Sequence, residues 1–103
     1  MTQEKQNAVN AIEEKAGLIG DVADHIWEYA ELSLQEVKSA ALYCEVLEKE
    51  GFQVEKGISG IETAFSASYG QGRPMIGFLA EYDALSGLSQ EGGSLEKKEL
   101  TAG

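Results

Sequence analysis

Polar and apolar positions along the first thirty residues follow a helical beat. Val9, Ile12, Ala16, Ile19, Ala23, Ile26 and Ala30 recur every three or four positions and form one stripe, so the spacing predicts a helix over residues 2–30. Gly17 and Gly20 fall inside it. Each costs roughly 1 kcal/mol relative to Ala in a helix interior, so a kink or break is expected there, with Asp21 available as a fresh cap. A second helix is expected over 33–50. Ser33 and Glu36 have the S-x-x-E spacing of a capping box, Leu34, Val37, Ala41, Cys44 and Leu47 make its inner face, and Lys38, Glu45, Glu48 and Lys49 face away. Gly51 suits the left-handed position that ends a helix, and Phe52 can fold back on Leu47.

Beyond Gly51 the beat changes from helical to alternating. Phe52 and Val54 alternate with Gln53 and Glu55, which predicts a short strand near 52–55. Residues 63–69 alternate too, with Phe65, Ala67 and Tyr69 on one side and Ala64, Ser66 and Ser68 on the other. Gly70, Gln71 and Gly72 then read as a hairpin turn, and no helix follows them to make a phosphate loop. Residues 74–82 are nearly continuously apolar, the pattern of a strand covered on both faces, with Pro74 tolerated as its first residue. From Leu85 to Gly103 the pattern dissolves into Gly, Ser, Glu and Lys, a loop or disordered tail. The sum is an α/β arrangement of two helices followed by about three strands of a mixed sheet. It divides into a partial domain over 1–84 and a tail over 85–103. A central strand with so few neighbours reads as part of a larger sheet.

Composition adds bounds. The chain has 103 residues, 43% hydrophobic and 25% charged, an ordinary balance for one modest domain. Its formal net charge is −10, which repels a phosphate backbone or an anionic membrane surface and argues against nucleic acid and membrane as partners. There is no repeat, no apolar signal-peptide core and no run long enough for a membrane span, so a cytoplasmic location is the expectation. Cys44 is the single cysteine and rules out an intrachain disulfide. Its place on the apolar face makes it a core residue. His25 is the single histidine, with Asp21, Asp24 and Glu28 nearby, and is expected in a surface ion pair rather than a metal site. Trp27 and Tyr29 follow the helical stripe and are expected to pack.

Candidate chemistry lies in Glu81-Tyr82-Asp83, where an apolar strand gives way to a glycine-containing loop. Ligands bind beyond the carboxyl ends of strands in open α/β sheets, and alternation puts Glu81 and Asp83 on the same side. Two such carboxylates can orient metal ligands or hold a proton. Charged residues also mark the end of many strands with no further role.

The run GQGRPMIGFLAEYDALSGLSQ, residues 70–90, resembles the strand-and-loop segment of the metallopeptidase family of aminoacylases, carboxypeptidase G and indole-acetyl-amino-acid hydrolases. Within it the branch of aminobenzoyl-glutamate hydrolases is most similar. ADHIWEYAELSLQE, residues 23–36, and EKEGFQVEKGISGIETAFSASYG, residues 48–70, resemble that family's first-helix signature and its second-helix end with the first strands.

The resemblance implies the N-terminal portion of a Zn-peptidase-like catalytic domain, from an enzyme that hydrolyses the amide bond of an N-acyl amino acid with water on Zn²⁺ or Mn²⁺. It assigns Asp83 a place beside the metal as an orienting residue. Glu81 matches a position that is a His ligand in some relatives, whereas in this branch Cys-x-x-His ligands take over. The family's H-x-C-G-H-N/D metal motif follows this segment. The 103 residues are expected to stop short of it, to hold no metal or other cofactor, and to be inactive alone. A homodimer is implied through a lid domain that these residues do not include. Many relatives have D-A-L-P where this chain has Asp83-Ala84-Leu85-Ser86, and His-Pro or Arg-Pro where it has Tyr29-Ala30. The alternative reading is a small acidic, non-enzymatic protein-binding module.

Overall fold

A computed structural model describes residues 1–100. The elements run α1 (Gln3–Glu14), α2 (Ala16–Tyr29), α3 (Val37–Lys49), β1 (Gln53–Lys56), a 3₁₀ turn (Ile58–Gly60) and β2 (Phe65–Ser68). The architecture is therefore a small α/β unit of three helices and a two-stranded antiparallel sheet.

The long stripe of the first thirty residues becomes two helices. The break falls at Lys15, just ahead of the glycines, and Gly17, Gly20 and Asp21 all lie inside α2. Thr2 caps α1, its Oγ1 accepting from the Lys5 N–H at 3.2 Å. Lys15 has left the helical conformation and its ammonium pairs with Glu50 at the end of α3. That pairing fixes the joint between α1 and α2 against the far end of the next helix. Neither α1 nor α2 contains a buried residue. Ala30 ends α2 in the left-handed conformation, with φ 44°.

The expected capping box does not form. Ser33 lies in a turn, Leu34 takes φ 67°, and α3 starts four residues later than expected. Glu36 occupies the cap position without a side-chain cap bond. The cap comes instead from Glu31, whose two carboxylate oxygens accept from the backbone N–H groups of Lys38 at 2.9 Å and Ser39 at 2.7 Å. These are the second and third N–H groups of α3, the ones a cap residue ordinarily serves. The turn at residues 32–35 is what brings Glu31 there.

The inner face of α3 is also rotated from the expected one. Leu34 and Val37 are exposed, while Ser39 and Cys44 are buried and Tyr43 and Leu47 half-buried. At its other end the sequence reading holds. Gly51, at φ 94°, is in the left-handed conformation. Its N–H donates to Glu48 and the Phe52 N–H to Leu47, at 3.1 and 2.9 Å, the paired bonds that close a helix on glycine.

β1 and β2 pair antiparallel in the register Gln53↔Ser68, Val54↔Ala67, Glu55↔Ser66 and Lys56↔Phe65. The connection is no tight turn: residues 57–64 loop through the 3₁₀ turn, and the Ala64 carbonyl accepts from both Gly57 and Ile58. Phe65 and Ala67 turn inward and Ser66 and Ser68 outward, as alternation requires. Both strands pack on α3, which also packs on α2.

Residues 74–82, expected as a buried central strand, join no ladder. Met75, Ile76, Phe78 and Leu79 are 75–98% exposed. The glycines at 70 and 72 accordingly make no hairpin. The reason is visible in the rest of the molecule: a strand buried on both faces needs a second layer of helix, and α1 and α2 do not cover this side. The Cα radius of gyration is 16.3 Å, against about 13 Å for a closed domain of this length, so the unit is open.

The tail is more ordered than a tail. Among residues 85–100, Gln90 accepts from the Lys98 N–H and donates to the Glu96 carbonyl, and Glu91 N–H donates to the Lys98 carbonyl. The remainder of the expected tail, residues 101–103, lies outside the described residues.

Candidate functional site: the Glu81–Asp83 segment

Tyr82 anchors this segment. Its ring sits 5.3 Å from that of Tyr43 and 6.1 Å from that of Phe65, centroid to centroid, so α3, β2 and the segment meet in one aromatic cluster. Its hydroxyl donates to the Thr63 carbonyl. Partial burial, with the carboxylate of Glu36 next in weight, pushes the phenol above its usual range, which keeps it a proton donor. The Thr63 hydroxyl in turn donates to Glu36 at 3.2 Å, tying the start of β2 to the start of α3.

Two residues on, the Ala84 N–H donates to the Glu31 carbonyl at 2.7 Å, and Ala84 pairs with Leu32 as an isolated parallel bridge. Glu31 thus acts at both ends: its carbonyl holds Ala84 and its carboxylate holds α3. Desolvation opposes ionisation of that carboxylate, but the N–H groups of Lys38 and Ser39 outweigh it and hold the pKa below the ordinary value. Beside it the Ser39 side chain is 1% exposed.

With Tyr82 and Ala84 turned inward, Glu81 and Asp83 are turned out to solvent, on the same side as alternation predicts. The pair is presented, not buried. Among the described residues, no three His, Cys, Asp or Glu side chains stand close enough to hold a metal ion. The residues do not fit a metal centre of their own, and no reaction step is assigned to a metal held by them.

The other singled-out residues are spread through the unit. His25 lies on α2, where Nδ1–H donates to the Asp21 carbonyl one turn back at 2.7 Å. That bond, more than the acidic neighbours, raises its pKa. The expected ion pair is replaced by a backbone contact. Trp27 is 53% exposed, and its Nε1–H reaches the Gln90 carbonyl at 2.9 Å, so it packs on the tail loop. Cys44 is 2% exposed, as expected of a core residue, and burial raises its thiol pKa. A groove of about 240 Å³ beside it runs between α3 and residues 56–65. No helix among the described residues is long and apolar enough to cross a membrane.

Glu31 was the functional residue that pattern reading passed over. Its signal was present as an acidic residue a few positions ahead of an apolar helix, but Ser33 offered a simpler cap.

Over 94 residues, 91% of its length, the chain is 43% identical to a p-aminobenzoyl-glutamate hydrolase of Escherichia coli (strain K12). The chain is a relative of this hydrolase. It spans about a fifth of the relative's length, with 20% of that protein covered. No family model matches the chain, and no solved structure does.

Proposed function

We propose that the chain is the part of an amide hydrolase that carries Asp83 to the edge of the active site, and that the substrate is an N-acyl amino acid of the p-aminobenzoyl-glutamate type. The observation that carries this reading is the 43% identity along nearly the whole chain. The geometry supports it. Two outward carboxylates stand on a segment pinned on either side of Asp83, by Tyr82 against the aromatic cluster and by Ala84 against Glu31. A segment held in this way keeps an orienting carboxylate in place without burying it.

In the complete hydrolase Zn²⁺ or Mn²⁺ is the proposed Lewis acid, held by side chains other than those described here. Asp83 is the proposed orienting residue for a ligand of that metal. Glu81 has the lesser role of adding negative charge beside it. The identity favours this reading over that of an acidic protein-binding module.

A chimera tests it. The aligned segment of the E. coli relative is replaced by this chain, and hydrolysis of p-aminobenzoyl-glutamate is measured. The expected result is retained turnover, with Asp83→Asn lowering kcat at least tenfold and Glu81→Gln much less. A chimera that folds and binds its metal but does not turn over would sink the proposal. For the chain alone, the expectation is no turnover and no stoichiometric zinc.

A further inference from the structure

The exposed apolar run between Tyr69 and Tyr82 is fastened at both ends alongside the same strand. At one end Tyr69 follows directly from β2, and its ring lies 5.1 Å from that of Phe52. At the other, Tyr82 docks on Thr63 and Phe65, at the opposite end of β2. The span from Thr63 to Tyr69 is six residue steps, about 20 Å if extended, and that from Ile76 to Tyr82 is the same. The run therefore leaves from one end of β2 and returns to the other with the right length to lie along it. β2 pairs with β1 on one side only, so half its backbone groups face an open edge.

We propose that residues 76–82 are a strap that closes on the free edge of β2 as a third, antiparallel strand, in a register set by Tyr82. Opposed residues in an antiparallel pair share a face. Tyr82 is held on the α3 side with Thr63, so the two belong opposite one another. Phe65 then meets Ala80, Ala67 meets Phe78 and Ser66 meets Leu79. Phe78, now 94% exposed, closes over α3 next to Ala67. A tight hairpin through residues 69–73 would pair Ser66 with Ile76 and throw Tyr82 to the opposite face, against its contacts with Tyr43 and Thr63. The closed register leaves Glu81 and Asp83 on the outer face beside Ser66, so closing fixes the carboxylates of the proposed site without burying them. The closing step itself does not rest on the hydrolase reading.

Amide hydrogen exchange of the 103-residue chain, followed by NMR, tests the closing. Every second amide from Ile76 to Ala80 is expected to be protected at least tenfold over unstructured rates, independently of protein concentration. Unprotected exchange throughout the run overturns the proposal. Protection that grows with concentration also overturns it, since the edge is then taken by a second copy. The register is tested by disulfide trapping in a Cys44→Ala background. Ser66→Cys with Leu79→Cys should oxidise at least tenfold faster than Ser66→Cys with Ile76→Cys, and equal rates or the reverse order overturn the register. Should the cysteine variants not fold, exchange in the unaltered chain still decides whether the strap closes.

Discussion

Two regions of this chain start from similar sequence signals and end differently. Residues 31–69, with Tyr82, converge on one core: Ser39, Cys44 and Thr63 are buried and Tyr43, Phe65 and Tyr82 stack. The α1–α2 arm has an equally regular apolar stripe but buries none of it, and Val9, Ile12, Leu18 and Ile19 are 37–62% exposed. Periodicity specifies which side of a helix is apolar. Burial depends on a second surface, and only α3 has one on this scale, supplied by both strands. The same difference explains why the proposed site is held firmly while the first two helices only lean on it.

The sharpest way to break this comparison is at Tyr82. Tyr82→Ala removes the ring that joins α3, β2 and the Asp83 segment and leaves the Thr63 carbonyl without its donor. A fully buried aromatic truncated to Ala costs about 3–5 kcal/mol. Half-burial lowers the expectation to about 2–3 kcal/mol, read from urea unfolding. Tyr82→Phe retains the ring and should cost about 1 kcal/mol. Equal losses in the two variants would assign the anchor to the hydroxyl rather than the cluster.

Glu31 comes next, and it carries a pH signature. Its carboxyl is held below the ordinary value in the folded chain. The stabilisation is thus present above the unfolded pKa and lost as pH falls through the lower folded one. Glu31→Gln should cost about 1–2 kcal/mol near neutral pH. Melting curves taken from pH 6 down to pH 3 should show the gap between the two proteins closing. A constant gap would mean that the charge is not what caps α3.

How much of this was legible beforehand divides along the same line. Local rules worked where a local bond decides the outcome: Gly51 ends α3, Phe65 and Ala67 turn inward, and Cys44 is buried. They failed where the deciding partner is distant in sequence. Glu31 displaced the Ser33 cap because the turn at 32–35 lets a side chain seven and eight residues away reach the helix. The apolar run 74–82 could not declare from its composition whether covering layers exist, and among the described residues they do not. The presentation of Asp83 was legible from alternation, whereas its fastening through Tyr82 to Thr63 was not, because that bond spans 19 residues.

Cys44 offers a smaller, cleaner measure of the core side. Its thiol is buried and its pKa raised, so it is both shielded and protonated. A thiol reagent at pH 8 should label it only as fast as the chain unfolds, and in urea the labelling should follow the unfolding curve. Cys44→Ala should cost about 1 kcal/mol, because the deleted sulfur leaves only a small gap. Rapid labelling of the folded chain would place the groove between α3 and β2 in an open state.

The smallest expected effect tests the other side of the comparison. Ile12 belongs to the α1 stripe and would be a core residue by pattern alone, yet it is 62% exposed. Ile12→Ser should therefore change stability by no more than about 0.5 kcal/mol, the range of substitutions on an exposed surface. Part of even that change is expected from helix propensity, which Ser and Ile share closely. The measurement is decisive because the two structural possibilities lie far apart. A buried Ile replaced by a polar residue loses about 2 kcal/mol or more through transfer alone. A loss of that size in the isolated chain would mean that the arm closes on a surface in solution, and the contrast between a packed α3 and an unpartnered α1 would fail. A loss near zero in the chain together with a large one in the E. coli chimera would instead show that the stripe is built for a surface the rest of the hydrolase provides.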